Sequence, residues 1–462
     1  MKYFKRCALV FLATGAALAA QPDPNVQDGS RFDQELNERD TEALKRYLNT
    51  KREIELEDKV TNLNISGDVR FEWRHMNESL RGIRLRGRHA RHPERNLPIS
   101  RNDFDVEFNL KFDYTMDRSW AVAHVQYDNS AGVDSQDRSC FEDPRGWFGS
   151  GKCDELCIRK AYMGYNLWMH KHSRFDIELG RRGNLYHAFD SRVQFLSRFD
   201  GALLKWSGNY DVAKEIFIKF GGLIVDERVN HFAYITEIGF MDIYCSHIDL
   251  KYSFIDWCGQ VGSRCIKKVD PECRFRIDRL NKPKAYDFAV SQWTAYYHLD
   301  PCYLGHPTKF FAAFLMNHKG KDIKVKKDIF SVDPLTGLVI ESTRTKKYRA
   351  NLAWYAGVSI GEVVKEGDWA LEIQYQWVEA LAVPGQDTSG ISNGNVLDYT
   401  LTMRSREYID NTNYKGWKVE GLYALTDNIT IDTIIEGTTP VNKKIGGSHR
   451  YSKVEVEAIY AF

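Results

Sequence analysis

The chain has 462 residues, with 64 Lys and Arg against 63 Asp and Glu, a formal net charge of +1. So even a balance sets up no global field toward nucleic acid or anionic lipid. Nowhere does the chain offer about 18 consecutive apolar residues, which excludes helical membrane spans.

Residues 1–20 read as a secretory signal peptide. Lys2, Lys5 and Arg6 precede an apolar run from Cys7 to Ala20, and Ala17-Leu18-Ala19 supplies small residues for cleavage. An uncleaved anchor helix is the other reading, for which the run is short. Cys7 opens the apolar run rather than closing it, unlike a lipid-anchor cysteine. Residues 21–61 change character. Phe32, Leu36, Ala43, Leu44, Tyr47, Leu48 and Ile54 recur at helical spacing among charges. They predict a short amphipathic periplasmic helix, serving as a collar or packing near the mouth of the domain that follows.

From residue 62 the period becomes two. Leu63, Ile65, Val69, Phe71 and Trp73 share one face, with Asn64, Ser66, Asp68, Arg70, Glu72 and Arg74 on the other. Residues 103–116 place Phe104, Val106, Phe108, Leu110, Phe112, Tyr114 and Met116 opposite Asp103, Asp105, Glu107, Asn109, Lys111 and Asp113. Side chains on a strand alternate between faces, so this strand has one greasy and one charged side. The alternation returns at 175–179, 348–360, 369–377 and 417–423, and again in Val454, Val456, Ala458, Tyr460 and Phe462 against Lys453, Glu455 and Glu457. Strands of about ten residues suit a tilted membrane crossing. A Tyr-rich secreted β-sandwich is the soluble alternative, but it has shorter strands.

Connections alternate in length as well. Residues 115–118, 169–173, 209–213, 361–366 and 426–428 are short, whereas 75–100, 129–157, 183–200, 318–346 and 381–412 are long. Such alternation characterises transmembrane barrels. Fourteen strands are plain, and residues 226–285 have room for two more. The expected fold is therefore all-β: a transmembrane antiparallel up-and-down β-barrel of about 16 strands (14–18) over residues 62–462, behind the helix.

The C-terminal run Val456-Glu457-Ala458-Ile459-Tyr460-Ala461-Phe462 resembles the assembly signal of outer-membrane barrels. Leu63-Asn64-Ile65-Ser66-Gly67-Asp68-Val69-Arg70 is similar to the first strand of Gram-negative outer-membrane porins. Arg159-Lys160-Ala161-Tyr162, Leu179-Gly180-Arg181 and Phe199-Asp200-Gly201 look like the middle of such porins. The likeness spans most of residues 60–462. It implies an outer-membrane location, reading of Tyr460 and Phe462 by the barrel-assembly machinery, lipid and lipopolysaccharide contacts, a homotrimer, and passage of small polar solutes and ions. The cysteines depart from the common pattern and resemble those of porins from chlamydia-like bacteria. Cys140, Cys153, Cys157, Cys245, Cys258, Cys265, Cys273 and Cys302 are disulfide candidates in an oxidising compartment. A zinc site at Cys153 and Cys157 is the competing reading and lacks a second ligand pair.

Charges facing the lumen would carry the chemistry of a pore. Asp68, Glu72, Asp103, Asp105, Glu107, Asp113, Glu455 and Glu457 form an acidic wall, partly neutralised by Arg70, Lys111 and Lys453. Arg181, Arg182, Arg192 and Arg198, in or near the loop 183–200, would face it if that loop folds inward, as in general porins. Glu178 and Glu372 also fall on inward positions. The same charges could instead simply solvate a wet lumen, and the two signs balance too closely to set a preference. Arg81, Arg84, Arg86, Arg88, Arg91 and Arg95 make a basic loop at the outer mouth, which would attract anions, hold lipopolysaccharide phosphates or stay solvated. No catalytic motif, cofactor signature or metal motif stands out. The expectation is a non-enzymatic diffusion pore. A disulfide-cross-linked structural or adhesive barrel is the alternative, and an outer-membrane hydrolase a distant third.

Overall fold

The computed structural model describes residues 62–87, 101–130, 153–226, 231–261, 286–301, 303–332, 339–391, 412–445 and 447–462. The expected signal peptide and N-terminal helix lie outside these residues, as does most of the basic loop. The barrel begins with β1 (Leu63–Leu80), β2 (Asn102–Met116), β3 (Ser119–Ser130), β4 (Cys153–His170) and β5 (Ser173–Asn184). It continues through β6 (Arg198–Tyr210), β7 (Ala213–Asp226), β8 (His231–Ile243), β9 (Ile248–Val261), β10 (Tyr286–Leu299) and β11 (Thr308–Asn317). It ends with β12 (Leu352–Gly361), β13 (Trp369–Val378), β14 (Tyr414–Ala424), β15 (Ile429–Pro440) and β16 (His449–Ala461).

Each strand pairs antiparallel with its chain neighbours, and β1 pairs with β16 from Asp68↔Ala461 to Leu80↔His449. The sheet is a closed barrel of 16 strands with no free edge, as the alternation and loop lengths predict. The hard-to-read stretch contains β8 and β9. The loop between β11 and β12 carries its own hairpin, Ile323–Val332 paired with Val339–Tyr348.

The seam has a steric requirement. Gly67 N donates to the Phe462 carbonyl at 3.1 Å, and Phe462 N donates back to the Gly67 carbonyl at 3.0 Å. A Cβ on Gly67 would lie 2.5 Å from the Asn109 carbonyl oxygen and 2.7 Å from the Phe462 ring. Only glycine lets the last residue close here, and the Phe462 ring then stacks on Phe108 with centroids 6.2 Å apart.

The outer face is apolar around the barrel: Phe71, Phe104, Phe108, Met163, Ile218, Phe220, Phe232, Leu250, Phe310 and Ile435 are all exposed. An exposed band of this kind has no place in water and marks the lipid-facing belt of a transmembrane barrel. Trp73, Trp293, Trp354, Tyr375, Trp377 and Trp417 share that face toward the long-connection side.

The interior carries a second apolar core. On β6 to β12, the inward positions Leu203, Leu223, Ile235, Ile255, Trp257, Val290, Phe311, Leu315 and Tyr355 are buried. Strands that are apolar on both faces must be covered on both. The cover comes from two long connections: residues 185–197, with Leu185, Phe189, Val193 and Phe195, and residues 379–391, with Leu381, Val383 and Ile391.

Candidate pore and the segments folded into it

The loop 185–197 folds into the barrel, and polar contacts fix where it lies. Asp190 is the anchor. Its carboxylate accepts from Lys251 Nζ on β9 at 3.0 Å and from the Tyr296 hydroxyl on β10. Its backbone N donates to Glu237 on β8 at 2.9 Å, and its carbonyl accepts from Gln292 on β10 at 2.6 Å. Lys219 on β7 donates to the Ala188 carbonyl at 3.1 Å and to Glu237 at 3.3 Å. Asp190 lies on the loop, outside the spanning strands. Its burial alone would raise the carboxyl, but the Lys251 charge and the Tyr296 hydrogen bond outweigh that and hold it at about 2.

Further along, Arg192 Nη1 meets Glu372 on β13 at 2.6 Å, and its guanidinium lies 4.2 Å from the Phe311 ring centroid. The Arg192 carbonyl accepts from Gln376 at 3.0 Å. The two inward segments are clasped together. Asp387 accepts from Phe195 N at 3.1 Å and Ser197 N at 2.9 Å, while Ser389 Oγ donates to the Gln194 carbonyl at 2.7 Å. Burial pushes the Asp387 carboxyl up to about 7, against the opposing effect of those two amides.

The wall from β14 round through β16 and β1 to β2 is polar on its inner face and graded in exposure: Asp68, Lys418, Glu420 and Glu436 are buried, while Arg74 and Lys111 are partly exposed. It carries a ladder of ion pairs. Arg70 meets Asp68 at 2.5 Å and Glu457 at 3.5 Å. Arg74 bridges Glu72 and Asp105 and reaches Glu455 at 3.7 Å. Lys453 lies 2.8 Å from both Glu436 and Glu455, Lys418 2.7 Å from Glu420, and Lys111 2.8 Å from Asp113. The Arg74 side chain is 30% exposed, whereas Lys219 and Glu237, under the inward loop, are each 1% exposed. Parts of the ladder are thus more exposed than the charges under the inward loop. On this wall the acids Asp68, Glu72, Asp103, Asp105, Glu107, Asp113, Glu420, Glu436, Glu455 and Glu457 outnumber Arg70, Arg74, Lys111, Lys418 and Lys453.

The sequence reading places the residues of β1, β2 and β16 on this inward face, and the structure sets them there together. It corrects the arginines. Arg181 and Arg182 belong to β5, which runs to Asn184, so alternation sends them to opposite faces. Arg182 points inward, pairs with Glu178 and covers the Tyr162 ring at 4.5 Å. Lys205 also meets Glu178, at 2.5 Å. Arg181 shares the outer face with Leu179 and pairs there with Asp200 at 2.6 Å. Arg198 is exposed, on the face opposite the buried Phe199. Arg192 goes inward but meets Glu372, not the acidic wall. The inward loop thus lies against β7 to β13 instead of reaching across to β1, because the apolar inner faces there must be covered. In the basic loop Arg81 and Arg84 are exposed, but Arg86 is buried against Glu78 at 3.1 Å. Arg88, Arg91 and Arg95 lie outside the described residues.

Cys245, in the turn between β8 and β9, and Cys258 on β9 carry exposed free thiols, contrary to the disulfide expectation for these two. Cys157 is half-buried on β4. Cys140, Cys265, Cys273 and Cys302 lie outside the described residues, and of Cys153 only the strand backbone is described. No group of His, Cys, Asp and Glu among the described residues is arranged to hold a metal ion. Ser291 Oγ lies 2.7 Å from His318 Nε2 and 3.0 Å from the Tyr252 hydroxyl. Ser291 is 1% exposed, so its hydroxyl is shielded from any substrate.

Sequence reasoning missed Asp190, Lys219, Glu237, Lys251 and Asp387. Lys219, Glu237 and Lys251 did leave a signal, as charges at inward positions of strands whose inner faces also carry Leu223, Ile235 and Ile255.

No protein-family model matches the chain, and no curated protein matches it. Among solved structures it is similar to the high-pH structure of Pseudomonas putida OprB, at 8% identity over 87% of this chain and 94% of that one, with a TM-score of 0.47. It is also similar to two mutants of Rh. blastica porin, at 7% and 6% identity over 87% of this chain and all of theirs, each with a TM-score of 0.40. At these values the architecture rests on the strand pairing itself.

Proposed function

We propose that the protein is an outer-membrane pore for passive diffusion of small hydrophilic solutes and ions, with a preference for cations. The observation that supports this reading is the acid excess along the polar inner wall from β14 through β16 and β1 to β2, the side that the anchors of the inward loop do not reach. In a channel bounded by low-dielectric protein, such an excess raises the local concentration of cations and lowers that of anions. The packed half narrows the path and forces solutes along the ladder. No catalytic role is needed for this function, and a homotrimer with assembly through Phe462 is compatible with it.

The test is reversal potential. Purified protein in planar bilayers under a tenfold salt gradient should give the sign for cations, and Glu455→Gln with Asp105→Asn should reduce its size. A reversal potential of the anion sign would reject the ladder as the selectivity element. A second reading, a structural barrel with little conductance, is favoured by the extent of the inward packing and by the two exposed thiols. Absence of any conductance from correctly folded protein would select it.

A further inference from the structure

We propose that the two-stranded ribbon of Ile323–Val332 and Val339–Tyr348, on the long-connection side of the barrel, is a docking surface for a linear acidic polysaccharide outside the cell. The inference goes beyond conduction and rests only on the long connections facing outward, as they do in transmembrane barrels. The ribbon forms a sheet of its own, and among the described residues neither of its strands pairs with the barrel. Its root is fixed. Ile323 is buried in the inner core, and Tyr348 packs against that core. Just before the ribbon, Lys319 Nζ meets Asp256 on β9 at 2.6 Å, and Lys321 Nζ meets Asp287 on β10 at 2.8 Å.

Beyond the root the charges are one-sided. The two strands carry Lys324, Lys326, Lys327, Arg344, Lys346 and Lys347 against Asp328 and Glu341. Register sets like charges directly opposite one another twice, at Lys324↔Lys347 and Lys327↔Arg344. Alternation assigns the first pair to the face opposite Ile323 and Tyr348 and the second to the same face as those two, so each face carries one. Like charges directly opposite destabilise an antiparallel pair. A ribbon built only to cap the core would gain by exchanging one member of each pair for an acid. Lysine also guards exposed strand edges against aggregation, but a charge of either sign does so. The unfavourable pairs thus point to an anion that binds across them.

The spacing selects a polymer over a small ion. The two pairs stand three residues apart, about 10 Å along the ribbon, too far for one sulfate or phosphate to join. A chain whose acid groups repeat along its length meets both. A second copy of the ribbon would bring cations against cations. Nucleic acid is the other linear polyanion, but single strands are held by aromatic stacking as well as charge. The cation rows Lys324 to Lys327 and Arg344 to Lys347 contain no aromatic residue. A flexible acidic polysaccharide asks only for repeated cations on a surface that it can reach.

The test uses the full chain in uncharged detergent, with labelled short chains of dextran sulfate as the probe, uncharged dextran as the control, and fluorescence anisotropy as the readout. Expected is salt-sensitive binding of the sulfated chains and none of the uncharged ones. Lys324→Glu/Lys327→Glu turns both like pairs into opposite pairs and keeps the strands charged. It should fold as well as the parent, by heat-modifiable gel mobility and protease resistance, yet bind roughly tenfold more weakly. Lys324→Arg/Lys327→Arg should bind like the parent. A folded charge-swapped variant with the parent's affinity would overturn the proposal. So would displacement of the probe by millimolar inorganic sulfate, which assigns the surface to a small anion. Tighter binding of duplex DNA, or of lipopolysaccharide stripped of its polysaccharide, through the same lysines would overturn it in favour of those ligands. Conductance of the same preparations, recorded without polymer, tests the pore reading separately.

Discussion

Replacing Asp190 with alanine should release the inward loop and widen the path. In the parent, the Asp190 carboxylate is the partner of Lys251, whose side chain is 6% exposed, and of the buried Tyr296 hydroxyl. Breaking a buried ion pair by removing one partner costs about 3–5 kcal/mol, because the other charge is left buried. Glu237 lies close by and accepts from Lys219, so it can take over part of the Lys251 charge, which favours the lower end of the range. About 3 kcal/mol corresponds to roughly a hundredfold rise in the population of the released loop. Other tethers persist at Ala188, Arg192 and the Asp387 clasp, so the expected state is a partly freed loop inside an intact barrel. Single-channel recording in planar bilayers should show larger unit conductance and more frequent current steps than the parent, with unchanged gel mobility of the folded form. The parent itself should behave in the same way in acid. The Asp190 carboxyl is held at about 2, below its unfolded value, so its contribution to loop docking is complete above about pH 4 and fades as pH falls toward 2. A folded Asp190→Ala barrel with the parent's conductance and current noise would show that the loop does not bound the ion path.

The clasp at Asp387 has the opposite pH sense. Its carboxyl is raised to about 7, so folding favours the protonated form; that contribution is present in acid and is lost as pH rises through 7. Current fluctuations should therefore increase between pH 5.5 and 8.5, and Asp387→Asn should flatten the dependence; a flat parent profile would remove the clasp from the gate. Gly67→Ala should hinder closure, since its Cβ meets backbone oxygen at 2.5 Å. An overpacking cost of about 1–3 kcal/mol should show as a smaller heat-modifiable fraction and a lower unfolding temperature, while Gly421→Ala, with open space around it, should show neither.

The barrel was legible because a lipid-facing wall imposes a strict alternation, and strands such as β2 satisfy it at every position. Where the alternation blurs, around β8 and β9, the structure supplies the reason: Ile235, Ile255 and Trp257 make the inner face apolar too. A strand that is greasy on both sides carries no period-two signal. The charged ladder could be read from β1, β2 and β16, since it follows from register and closure alone. The inward segments could not. Their anchors, Asp190 and Asp387, lie in stretches that read as surface loop, and their partners are distant in sequence: strand side chains for Asp190 and backbone amides of the other inward loop for Asp387. Arg181 and Arg182 depart from the expectation because the strand runs on to Asn184, so adjacent residues there face opposite ways.

The mutual hydrogen bonds between Gly67 and Phe462 also govern the order of events during biogenesis. The first strand finds its final neighbour only when the last one exists, so this ladder has the longest contour separation of any in the molecule. Until then both outermost strands are unsatisfied, and any polypeptide shortened at its tail retains a sticky rim that recruits a neighbouring copy. Completion is thus a single late, slow step, and the yield of monomeric barrel should depend more on delivery of the tail than on any interior contact.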